Sequence, residues 1–230
     1  MKFTLISRIM LCAATAFALT SCSIDDEPDH VEYPDAAYGV VANASPNSGD
    51  LYFYADANQV NNSALNFGTA MGYYNFFTGD RVLSIKNAAG ATVASDTISL
   101  QANDFFTAFA VNTYDNIELV TYRDSLEYPA SGRALVRFIN LSPDAAPITI
   151  NSPSQTFVTG LEFKEATDFI SVPGGTYDFS FTNTATGEAI YTEDDAEVLS
   201  GHIYTIYTKG FVVPPVGSND TFTSVEIRNY

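Results

Sequence analysis

The chain has 230 residues, 46% hydrophobic and 16% charged, with 27 acidic against 10 basic side chains. A net charge of −17 excludes nucleic acid as a partner, because phosphate binding needs clustered Lys and Arg, and it excludes docking on an anionic membrane through a basic patch. Two cysteines and two histidines leave too little for a disulfide framework or a zinc site, and the apolar content is too high for a disordered chain.

In chain order, Lys2 and Arg8 make a short positive region, and Ile9 to Ala18 an apolar run too short to span a bilayer. Residues 1–21 therefore read as a lipoprotein signal peptide. Leu19-Thr20-Ser21-Cys22 resembles a bacterial lipobox, in which cleavage precedes the cysteine and its thiol carries the lipid. Cys22 is the expected lipidation site and ties the chain to a membrane. Cys12 leaves with the signal, so no disulfide is expected within one chain. Cleavage removes two basic and no acidic residues, leaving 8 against 27 and a net charge of −19. Residues 22–35 are rich in acids and proline and cannot bury a core, which makes them a flexible tether. Ser23 with Asp25, Asp26 and Glu27 resembles the surface-export signal of Bacteroidetes lipoproteins, interrupted by Ile24. The expected location is the outer membrane, lipid-anchored and facing the cell exterior.

Beyond Asp35 the pattern is strand after strand. Tyr177, Phe179 and Phe181 alternate with polar residues at a period of two, and Phe105 to Val111 and Ile203 to Tyr207 run likewise through β-branched and aromatic residues. Gly and Pro fall between the runs. The chain also repeats itself. Asn43-Ala44-Ser45-Pro46-Asn47 matches Asn140-Leu141-Ser142-Pro143-Asp144 at an offset of 97, and apolar and turn positions recur from there to Phe106-Thr107 against Tyr204-Thr205. The expected fold is all-β: two tandem antiparallel β-sandwich domains, 36–126 and 133–230, joined by a linker at 127–132 rich in Pro, Gly and Ser. The shared Asn-x-Ser-Pro element reads as a structural corner, with Pro fitting the second position of a type I turn.

The Asn-x-Ser-Pro-Asp corner, a mid-domain Leu-x-Phe, Pro173-Gly174-Gly175-Thr176-Tyr177 and the late Tyr204-Thr205 strand resemble the domain-of-unknown-function family 4397. The resemblance covers most of residues 38–210 and is clearest in the second copy, since Phe77-Thr78-Gly79-Asp80-Arg81 stands in the first where Pro-Gly-Gly-Thr-Tyr stands in the second. It implies tandem immunoglobulin-like sandwiches in Bacteroidetes lipoproteins, and it implies no reaction and no catalytic residues.

No nucleophile–base motif is present, and His30 and His202 read as a tether residue and a strand-edge residue. No catalytic residue, metal ligand or cofactor is expected; Glu193-Asp194-Asp195 reads as a solvated acidic run rather than a calcium loop. Tyr52, Tyr54 and Tyr74 are candidate contact aromatics for a glycan or surface-protein partner. Asp96-Thr97-Ile98 and Asp124-Ser125-Leu126 resemble a Bacteroidetes O-glycosylation motif, with Ser125 the more accessible. The expected function is a non-catalytic binding, adhesive or structural module. The alternative is a glycoside hydrolase using paired carboxylates, or an accessory protein of glycan uptake.

Overall fold

Short apolar alternations broken by Gly, Pro and Asn fold here into strands and tight turns. The computed structural model describes residues 35–125 and 127–229. The expected signal peptide, Cys22, Ser23, Asp25, Asp26 and Glu27 lie outside the described residues. The first half contains β1 (Ala36–Asn43), β2 (Leu51–Ala55), β3 (Asn58–Gln59), β4 (Ala70–Phe77), β5 (Gly79–Asn87), β6 (Thr92–Leu100), β7 (Phe105–Val111) and β8 (Glu118–Arg123). The second contains β9 (Arg133–Asn140), β10 (Ile148–Ser152), β11 (Gln155–Leu161), β12 (Ile170–Pro173), β13 (Gly175–Asn183), β14 (Ala189–Val198), β15 (Ile203–Lys209) and β16 (Thr223–Arg228).

Each half is a β-sandwich of two four-stranded sheets. The orders are β4-β1-β7-β8 over β3-β2-β5-β6, and β12-β9-β15-β16 over β11-β10-β13-β14. The duplication read from the sequence is thus repeated in topology, strand for strand. One pair in each half departs from the antiparallel expectation: β1 runs parallel to β7, and β9 to β15. Both pairs are central in their sheets, joined through strands of the other sheet, as crossover connections of parallel neighbours require.

Leu51, Phe53, Leu83, Ile85 and Phe106 fill the first sandwich; Ile148, Ile150, Phe179, Phe181 and Tyr204 fill the second. A third cluster lies between the halves, where Val40, Ala42, Phe109 and Val111 meet Ile139, Leu141, Tyr207 and Ile227. The Phe109 and Tyr207 rings meet edge to face at 4.9 Å. This cluster corrects the expectation of clean alternation along β7 and β15. Phe106 to Val111 and Ile203 to Thr208 are buried at every position, because one face closes a sandwich core and the other meets the opposite half. Gly39 in β1 answers to the first sandwich's own core instead: a Cβ there would lie 2.5–2.8 Å from Phe106 and Phe76 ring atoms.

A buried polar network adds direction to this contact. Arg137 Nη2 donates to Asp124 Oδ1 at 2.6 Å, with the two side chains 4% and 0% exposed. Thr107 Oγ1 and the Tyr73 hydroxyl donate to Asp124 Oδ2 at 2.8 and 3.2 Å. Arg137 reaches Thr205 Oγ1 and the Arg123 carbonyl, and its guanidinium lies 4.6 Å from the Phe169 ring centroid. Nearer the rim, Lys164 pairs with Glu118 at 2.7 Å.

Candidate functional site

The repeated Asn-x-Ser-Pro element builds the same corner twice. Asn43 Nδ2 donates to the Leu65 carbonyl at 3.0 Å and Asn140 Nδ2 to the Leu161 carbonyl at 3.1 Å. Ser45 Oγ donates to the Asn112 carbonyl at 2.7 Å and Ser142 Oγ to the Gly210 carbonyl at 2.6 Å. These four side chains are buried and bonded to backbone, so the corner is structural. Function must be sought where the copies differ.

They differ at the open edge between β3 and β4. Tyr54 faces Gln59 as Asn151 faces Thr156, so Val60 stands where the second half has Phe157. The Phe157 ring packs on Phe138, Tyr177 and Phe179 at centroid distances of 5.1–6.1 Å and closes that edge. In the first half the corresponding residues are Val60, Val41, Arg81 and Leu83, and a cleft of about 280 Å³ opens instead. β3 has two residues against seven in β11, which shortens the wall further.

Arg81 takes over the loop-closing bond of Tyr177. Its Nε donates to the Phe77 carbonyl at 3.1 Å, as the Tyr177 hydroxyl donates to the Pro173 carbonyl at 2.7 Å. Arg81 also bonds the Thr78 carbonyl and pairs with Asp56 at 3.2 Å. Asp56 sits at φ 55° in the turn between β2 and β3 and accepts the Val82 N–H at 3.0 Å. That N–H, and after it the Arg81 guanidinium, holds the Asp56 carboxyl below its ordinary range. The two charges of the cleft therefore offset each other. Its remaining wall offers rings and amides. Phe77 is 63% exposed. Among the described residues the Tyr74 hydroxyl and the Asn58 and Asn75 amides make no hydrogen bond, while Gln59 Nε2 donates to the Asn61 carbonyl at 2.8 Å. Such a wall can stack one apolar face of a ligand and bridge neighbouring hydroxyls.

The candidate aromatics separate. Tyr74 lines this cleft, whereas Tyr52 and Tyr54 alternate with the buried Leu51 and Phe53 and stand on the outer face of their sheet. Gln59 connects the two places, since its Oε1 accepts the Tyr54 hydroxyl at 3.0 Å. Phe77, Asn75, Asn58, Gln59, Asp56 and Arg81 were not singled out in the sequence reading. The signal for them lay in the Phe-Thr-Gly-Asp-Arg departure and in Val60 against Phe157. Thr97 and Ser125 are both exposed, but Asp96 beside Thr97 is exposed while Asp124 beside Ser125 is buried in its ion pair. His202 lies before β15 with Nδ1 3.1 Å from the Ser200 carbonyl.

Two other recesses are present. The larger, about 430 Å³, lies at one end of the second sandwich beside Asp144, Glu188, Phe211 and Phe222. Both rings there are buried, and both Asp144 oxygens accept N–H groups of Val212 and Val213 at 2.8 and 2.9 Å, so its chemistry holds the 211–222 loop. The smaller places Glu193 and Glu226 together in about 150 Å³, half the lower end of ordinary ligand pockets at about 300–1,000 Å³. Glu193 Oε2 accepts the Tyr191 hydroxyl and Ser224 Oγ. Among the described residues no group of three or more His, Cys, Asp or Glu side chains is placed to hold a metal ion.

A comparison with curated proteins returns no match. Among solved structures, the chain is similar to a family 26 carbohydrate-binding module from Eubacterium rectale Amy13K in complex with maltoheptaose (TM-score 0.25, 12% identity, covering 83% of this chain and 97% of that one). It is similar to a streptococcal virulence factor described for α-glucan binding (TM-score 0.22, 13% identity, 74% and 92%). It is also similar to a candidate cell adhesion protein from Bacteroides fragilis (TM-score 0.21, 10% identity, 96% and 93%). At scores this low these likenesses carry no weight for ligand or partner. The family model for a domain of unknown function, DUF4397, matches residues 37–151, which takes in the first sandwich and runs on through β9 and β10. With half of its length matched, the chain belongs to the DUF4397 family.

Proposed function

We propose that the protein is a non-catalytic glycan-binding module, lipid-anchored in the outer membrane and facing the cell exterior. The observation that carries the binding reading is the cleft of the first sandwich, lined by the exposed Phe77 and by Tyr74, Asn58 and Asn75, whose side chains make no hydrogen bond among the described residues. A sugar ring has an apolar C–H face that stacks on an aromatic ring and hydroxyls that pair with planar amides, and this wall supplies both partners. The balanced Asp56–Arg81 pair and the net charge of −19 after cleavage favour an uncharged glycan over a polyanionic one. The test is a glycan and peptide array probed with the chain from residue 22, produced with Cys22→Ser so that no lipid is attached. Neutral glycans should bind; a response confined to peptides contradicts the reading. Turnover of a glycoside lost on changing Glu193 or Glu226 would establish the hydrolase instead.

Anchoring and location rest on the Leu-Thr-Ser-Cys pattern and on the acids after Ser23. Metabolic labelling with a palmitate analogue should mark the wild type and spare Cys22→Ala, and protease treatment of intact cells should remove the protein. Thr97 and Ser125 are the proposed O-glycosylation positions; exposure of both supports this, and the intact mass of protein from the native host tests it.

A further inference from the structure

The cleft does not stop at β3. With two residues, that strand leaves Asn58 and Gln59, both exposed, between the cleft and the outer face of the sheet. Gln59 belongs to both sides, lining the cleft while accepting the Tyr54 hydroxyl at 3.0 Å. Beyond it, Tyr54 and Tyr52 stand two residues apart on the same face, roughly 7 Å along the strand. Ser84 lies opposite Tyr54 and Ser95 beyond it, so the residues across the sheet from the ring are small. Lys86 lies opposite Tyr52, its Nζ 3.9 Å from the Tyr54 ring centroid, with no hydrogen bond among the described residues.

The cross-strand side-chain bond and the facing serine recur in the second half, as Thr156–Asn151 and Ser180, but the two rings and the lysine do not. The positions of Tyr52, Tyr54 and Lys86 are Thr149, Asn151 and Thr182 there, in the same register. The half with the open cleft is therefore also the half with an aromatic outer face next to it. Two sets of departures, one between the sheets and one outside them, meet at Gln59.

Resting on the glycan reading above, we propose that the cleft is one end of a longer track crossing β3 onto Tyr54 and Tyr52, so that the ligand is a glycan chain of several units rather than a single terminal sugar. Rings at intervals along an extended path stack successive sugars, with Gln59 and Lys86 supplying donors to the hydroxyls between them. Each further unit that lands on the track adds contact without a new association cost.

The test uses the lipid-free chain from residue 22 and calorimetric titration with ladders of α-1,4-glucose, β-1,4-glucose and β-1,4-mannose, one to seven units long. The expected result is binding that tightens at least tenfold from disaccharide to hexasaccharide in one ladder. Tyr54→Ala, and separately Tyr52→Ala, should bring the hexasaccharide affinity down to the disaccharide value with an unchanged melting temperature. Affinity that is flat with length yet lost in Phe77→Ala overturns the track and leaves the glycan reading standing. A length dependence that survives both tyrosine changes also overturns it, and absence of binding to every ladder overturns it together with that reading.

Discussion

Replacing Asp124 by Ala removes the acceptor at the centre of the network between the two halves. Arg137 then loses its 2.6 Å partner while remaining 4% exposed, and Thr107 and Tyr73 lose the oxygen they donate to. Breaking a buried pair from one side costs about 3–5 kcal/mol, because the remaining charge stays desolvated. A native domain holds about 5–15 kcal/mol in total, so the loss is a large share. At roughly 2–4 °C per kcal/mol for a chain of this size, the melting temperature should fall by about 6–20 °C. Differential scanning calorimetry of the Asp124→Ala and Asp124→Ala/Arg137→Met chains checks this, and the double change should recover most of the loss by removing the unpaired guanidinium. A single transition is expected in each, since the cluster around Phe109 and Tyr207 couples the sandwiches. A fall below about 2 °C for Asp124→Ala, or separate melting of the halves, would refute the claim that the network is desolvated and shared.

Burial raises the Glu226 carboxyl above its ordinary value, Arg228 opposes this, and Glu193 and Glu197 add to it. A raised acid is most compatible with the fold while protonated, so stability should fall as pH rises from the ordinary carboxylate range through the raised value. Glu226→Gln should accordingly raise the melting temperature at pH 7 and change it little at pH 4. Gly39→Ala should destabilise by about 1–3 kcal/mol in a urea titration, because the added methyl meets the Phe106 and Phe76 rings within 2.8 Å; no change would mean that the backbone absorbs it where the β1–β4 register shifts between Gly39 and Val41. Glycan affinity should be nearly independent of salt, since the Asp56–Arg81 pair leaves no net charge in the cleft.

The duplication, the corners and most strands were legible in the sequence because they follow local rules: period two, turn residues and a repeated order of both. Tyr177, Phe179 and Phe181 behave as that pattern dictates. Phe105 to Val111 and Ile203 to Tyr207 do not, since the burial of their second face depends on a partner half that no local window contains. The same limit hid the cleft. The gap beside Val60 arises from the absence of a ring at one position, visible only when the two copies are aligned strand on strand, whereas Phe77 is exposed because it alternates with the core-facing Phe76 in β4. Residue type alone groups Tyr52, Tyr54 and Tyr74, but membership of two different sheets sets Tyr74 apart from the other two. Composition cannot report that.

Titration of the tightest array ligand into wild-type and Phe77→Ala chains tests most directly whether the first-sandwich cleft binds glycan through Phe77, with melting temperatures measured alongside. The exposed position of Phe77 predicts an unchanged melting temperature, and loss of its stacking face predicts at least a tenfold weaker affinity, about 1.4 kcal/mol. Equal affinity in the two chains would contradict the account.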